Sequence, residues 1–171
     1  FRSLRLVLSV ACIFFVILQV VRSVEQIKRL LSAIAIIGGA VAILALLQNI
    51  SGTDKIYWII PTGHNTAEAG TFVNHSNFAQ FMNLSIGAAL ALIFVRLHEA
   101  FTHRKITVQY VTDFFQSVEG KIIFILAGIV VLGIAAIFIS MSRGGMIAFL
   151  IAAAFTTLML AIRGSVRGRG W

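Results

Sequence analysis

An all-α fold, a polytopic helical bundle set in a membrane, is what this sequence predicts, and three observations carry the prediction. Of the 171 residues, 59% are hydrophobic and only 12% charged, with a mean hydropathy of +0.98; water-soluble domains do not have that balance. Apolar runs of about twenty residues, the length that crosses a bilayer core as a helix, recur along the whole chain. Strand-like alternation is missing, which argues against a barrel and for segments that satisfy their backbone groups internally.

In chain order the runs are Leu4–Val21, Leu30–Ile50, Phe78–Val95, Ile122–Ser140 and Gly145–Ile162, giving five expected transmembrane helices. Arg2 and Arg5 ahead of the first run resemble the start of a signal peptide. No small-x-small cleavage site follows, so the run reads as a retained span. Cys12 lies inside it and, as the lone cysteine, has no internal disulfide partner. Residue 1 is phenylalanine rather than methionine, from which residues 1–171 read as one membrane domain of a longer polytopic protein. Between the third and fourth runs, Arg96–Lys121 carries Thr107, Val111, Phe114, Phe115 and Val118 at helical spacing. That pattern predicts a cytoplasmic amphipathic helix lying on the membrane surface.

The formal charge of +8 is scattered between apolar spans and forms no continuous basic stripe, so membrane orientation explains it better than nucleic acid. Five spans divide the flanking regions into two sets. One holds Arg22, Lys28, Arg29, Arg96, Arg104, Lys105, Lys121, Arg163, Arg167 and Arg169; the other holds Arg2, Arg5, Lys55 and Arg143. The larger set marks the cytoplasmic side, against the dissent of Arg2 and Arg5. The 51–77 loop and the Ser140–Gly145 turn then share the outer face.

That placement bears on the stretch FISMSRGGMIAF, where Arg143 interrupts a long apolar region. An arginine at the bilayer centre costs roughly 2.5–3.5 kcal/mol on insertion scales, so its retention calls for a partner or a function. Ser140 to Gly145 predicts a tight turn in which the glycines supply left-handed backbone. An arginine snorkelling from such a hairpin to lipid headgroups is the plainest reading of the spacing. The functional reading starts from the outward N-termini of segments three and five, whose free N–H groups and positive dipole ends favour an anion. A guanidinium beside them grips two phosphate oxygens at once.

Segment three is preceded by GTFVNHSNFAQFMN. Asn74, Ser76 or Asn77 can cap its helix. Asn74, His75, Asn77, Gln80 and Asn83 make a dense set of hydrogen-bonding groups, of which Gln80 and Asn83 recur three apart within the span. Such a stripe is expected to face protein or a water-filled cavity. His64, Glu68 and His75 offer a zinc alternative, but the glycine- and threonine-rich surroundings argue against the helix that would bring the first two together, so no metal and no cofactor is expected.

GTFVNHSNFAQFMNL followed by SMSRGGMIAFL resembles the O-antigen ligase and polymerase family, whose members carry a G-T-F-x-N-x-N-x-F-A-like motif and an S-R-G motif. The likeness covers most of residues 70–162, while residues 1–69 match in hydropathy alone. It implies a polytopic, metal-independent glycosyltransferase of the bacterial inner membrane. Such an enzyme moves a glycan from a polyprenyl diphosphate carrier to a glycan or lipid acceptor on the periplasmic face. Arg143 would hold the donor diphosphate and stabilise the leaving group, with Ser142, Gly144, Asn74, His75, Asn77 and Gln80 as the binding residues around it. The family's large outer loop, with its proposed histidine base, would follow the S-R-G region, and the chain ends at Trp171 before it. Neither His64 nor His75 stands at that base position, so this stretch alone is expected to be inactive. The competing classes are a transporter for an anionic solute, which needs polar residues through the depth of the bilayer, and a non-catalytic membrane subunit, in which Arg143 touches only lipid.

Overall fold

Small residues three and four apart decide where the helices meet. In α2 (Val24–Ile50), Ala35, Gly38, Gly39, Ala42 and Ala45 are buried in one stripe. The stripe lets α2 approach α3 (His75–Phe101) so closely that a Cβ on Gly38 would overlap the Ser85 side chain, the kind of contact that holds helices together where lipid removes the hydrophobic drive. The computed structural model describes residues 2–53, 55–61, 71–101 and 108–168.

The architecture is helical, with six helices among the described residues. Besides α2 and α3 these are α1 (Arg2–Val20), α4 (Val108–Gln116), α5 (Val118–Ile139) and α6 (Arg143–Gly168). α2, α3 and α5 pack against one another, and α6 joins them through α3 and α5. Phe78, Met82, Ile86 and Ile137 centre the core near one end of the bundle, and Ala89, Leu92 and Leu126 continue it toward the other. The described side chains of α1 are exposed along the whole helix. Three helices, α2, α3 and α5, are long and apolar enough to cross a membrane; the apolar stretches of α1 and α6 are shorter, Val7–Gln19 and Arg143–Met159.

Helix ends run past the apolar runs because polar ends pair with each other. α2 starts at a capping box, Ser23 Oγ accepting the Gln26 N–H (3.2 Å) while Gln26 Oε1 accepts the Ser23 N–H (3.0 Å). From its first turns Lys28 reaches Glu25 (3.2 Å) and Glu99 of α3 (2.7 Å), and Arg96 of α3 bonds Glu119 of α5. Solvent screens these pairs, so they set register without holding the fold.

The 96–121 region corrects the expectation of one surface helix. α3 continues through Arg96 to Phe101, and only Val108–Gln116 forms the separate amphipathic helix. Ser117 then caps α5 by accepting the Gly120 N–H (3.3 Å), and a Cβ on Gly120 would overlap the Phe114 carbonyl, so the chain turns a tight corner there. Of the expected apolar face, Phe114 is buried and Val111 half-buried, whereas Phe115 and Val118 are exposed; Thr107 lies outside the described residues. A second departure is a short antiparallel hairpin after α2, β1 (Lys55–Ile56) paired with β2 (Ile60–Pro61).

Candidate functional site

α5 and α6 meet at a turn built differently from the expected one. Ser140 ends α5, its N–H donating to the Ala136 carbonyl (3.0 Å) while the N–H of Met141 donates to the Phe138 carbonyl (3.2 Å). Met141 then takes the left-handed conformation at φ 53°. Ser142 caps α6, its buried Oγ accepting the Gly145 N–H (3.3 Å) and its carbonyl accepting the Met146 N–H (3.0 Å). Arg143 is therefore the first helical residue, and Gly144 and Gly145 lie inside the helix without left-handed backbone. The expectation that glycine makes this turn is overturned. Gly145 is needed for packing instead, since a Cβ there would overlap that of Ala79 in α3.

The Ala79–Gly145 crossing brings the two distant motifs together. On the side of it toward the α5–α6 turn, His75 and Ser76 from the first turn of α3 and Ser140, Met141, Ser142, Arg143 and Gly144 line one open cleft of ≈ 460 Å³. The Arg143 side chain is exposed there and makes no ion pair or hydrogen bond with a described residue. His75 is half-buried, with Nδ1 out of contact with solvent and without a hydrogen-bond partner among the described residues. One turn below the crossing, Asn83 Nδ2 donates to the Gly145 carbonyl (3.2 Å), tying α3 to α6, while its Oδ1 is buried without a described partner.

Of the residues singled out from sequence, the cleft thus gathers Arg143, Ser142, Gly144 and His75, and adds Ser76 and Ser140. Asn74 is the cap of α3: its Oδ1 accepts the Ser76 N–H (2.8 Å) and its carbonyl the Phe78 N–H (3.1 Å). Asn77 and Gln80 are exposed and outside the cleft. Helical rotation explains the split, because they stand roughly 200° and 140° around α3 from His75 at about 100° per residue. The Gln80–Asn83 stripe divides in the same way, Asn83 turning into protein and Gln80 out of it. His64 and Glu68 lie outside the described residues.

Chemically the cleft offers an arginine, the exposed Ser76 hydroxyl and two helix N-termini, which together suit an anion with several oxygens. Comparison of the chain with protein-family models, with curated proteins and with solved structures finds no match in any of the three.

Proposed function

We propose that the chain is part of a membrane glycosyltransferase of the O-antigen ligase and polymerase type. It would transfer a glycan from a polyprenyl diphosphate to a glycan or lipid acceptor on the periplasmic face of a bacterial inner membrane. One observation carries the reading: both motifs that suggested the resemblance line the same cleft, with the Arg143 guanidinium unengaged by any described residue. In the proposed step an acceptor hydroxyl attacks the anomeric carbon and gives up its proton to the base that the resemblance places in the outer loop, the bond from that carbon to the phosphate oxygen breaks, and the electron pair leaves on the diphosphate. Arg143 and the first N–H groups of α6 stabilise the departing charge. Ser142 holds the turn that aims the arginine, and His75 lines the opposite wall.

A transport pathway fits less well. Below Asn83 the groove between α3, α5 and α6 is apolar apart from Gly87, Thr156 and Thr157. The threonine hydroxyls donate back to Ala152 and Ala153 of their own helix (2.8 Å each), which leaves little to carry an ion inward.

The direct test is transfer by the full-length protein in proteoliposomes. Supplied with a polyprenyl-diphosphate glycan and acceptor, it should release polyprenyl diphosphate and lengthen the acceptor; no release under any acceptor condition sinks the proposal. Five crossings with the cleft outside make a separate prediction. With Cys12 replaced by serine, a cysteine at Gly144, where a side chain meets open space, should be labelled from the periplasmic side by an impermeant maleimide. One at Gln109 on α4 should be labelled only after the membrane is opened. The reverse pattern overturns the orientation.

A further inference from the structure

The hairpin after α2 breaks a backbone rule at its tip. Tyr57 and Trp58 have φ of 55° and 61°, the left-handed region that hairpins ordinarily fill with Asn and Gly. Two aromatic residues held there call for a reason beyond making a turn.

Side-chain bonds fix the tip to the end of α2. Gln48, buried, donates from Nε2 to the Lys55 carbonyl (3.3 Å); Ser51 Oγ donates to the Gln48 carbonyl (2.9 Å); Trp58 Nε1 donates to Ser51 Oγ (2.9 Å). Ile56 beneath is buried. The hairpin is therefore a rigid extension of α2.

What it displays is apolar. Tyr57, Trp58, Ile59 and Ile60 are 47%, 44%, 77% and 55% exposed, and they follow Leu47 and Ile50, exposed on the last turns of α2. Because α2 is long and apolar enough to cross a membrane, its exposed aliphatic side chains face acyl chains. The end of such a helix lies at the interface, where tryptophan and tyrosine concentrate. Lys55, exposed beside the tip, matches the lipid phosphates.

We infer that the Tyr57–Ile60 tip is a membrane anchor, seated among the headgroups and upper acyl chains of the bilayer. It sets the height of the bundle's outer end relative to the lipid phosphates. The inference needs α2 to cross the membrane and does not depend on glycan transfer.

The test uses the 171-residue chain carrying Trp171→Phe, in which Trp58 is then the single tryptophan, in vesicles of phosphatidylcholine and phosphatidylglycerol. Trp58 emission should be blue-shifted from that of free tryptophan. Lipids brominated high on the acyl chain should quench it at least about twofold more than aqueous iodide does, as for an interfacial indole. Emission like free tryptophan with strong iodide quenching overturns the anchor. So does iodide quenching relieved by added oligosaccharide, which would make the tip a sugar platform. Tyr57→Asn with Ile59→Ser and Ile60→Ser keeps Trp58 and eases the backbone, so misfolding is not the readout. This variant should shift the emission to the red and lose the lipid quenching; unchanged emission counts against the anchor.

Discussion

Under the proposed function, Arg143→Lys is expected to lower glycan transfer by on the order of tenfold to a thousandfold, the range seen when a preorganised transition-state donor is lost. Lysine keeps the charge at the start of α6 but not the planar fork that holds two phosphate oxygens. Arg143→Ala should do at least as much harm. Lys55→Ala is the control: it lies at the same end of the bundle, and the bond it makes to Gln48 uses its main-chain carbonyl, which the substitution keeps. Transfer is assayed on membranes with protein levels matched by immunoblot. Full activity in Arg143→Lys would mean that the arginine only snorkels from a hairpin to the headgroups.

The second large effect comes from a single methyl group at the α3–α6 crossing. In Gly145→Ala the added carbon would overlap Ala79 Cβ, whereas carbon atoms settle about 3.5–4.0 Å apart, so α6 must back away from α3. The 3.2 Å bond from Asn83 to the Gly145 carbonyl then stretches, and His75 and Arg143 separate across the cleft. Overpacking of this kind costs about 1–3 kcal/mol, visible as a lower melting temperature in detergent. Misplacing a reacting group by about 1 Å costs up to about a hundredfold in rate. Ala79→Gly in the same chain returns the space and should restore most of the transfer, although a glycine within α3 keeps some of the stability loss, about 1 kcal/mol. A double variant no more active than Gly145→Ala would show that the crossing does not position the cleft.

Hydropathy made the long helices legible, because a run of about twenty apolar residues is the pattern of a membrane-length helix. It did not mark their ends. Lys28 and Glu99 belong to helices in space only because they find each other across 71 positions of sequence, and no local window registers that pairing. Glycine misled at Gly144 and Gly145: the residue type signals either a left-handed turn or a close approach, and the partner that decides, Ala79, lies in another helix. Met141, Tyr57 and Trp58 adopt left-handed backbone with no turn-forming residue to announce it. At the cleft, both motifs were visible as strings. Which of their polar residues share a wall depends on the face of α3 that packs inward, and Ala79, Met82 and Ile86 select His75 and Asn83 over Asn77 and Gln80.

The joint at Met141 has a mechanical consequence. Only Ser140, Met141 and Ser142 separate α5 from α6, and the two serines are locked by their own hydrogen bonds, so the joint has almost no slack. α5 and α6 therefore behave as one bent rod. Its α5 arm, 22 residues or about 33 Å at 1.5 Å per residue, ends in the corner where Gly120 packs against Phe114 of the amphipathic helix. A push that slides α5 along its axis at that corner arrives as displacement of the Arg143 guanidinium at the far end, transmitted as in a stiff piston.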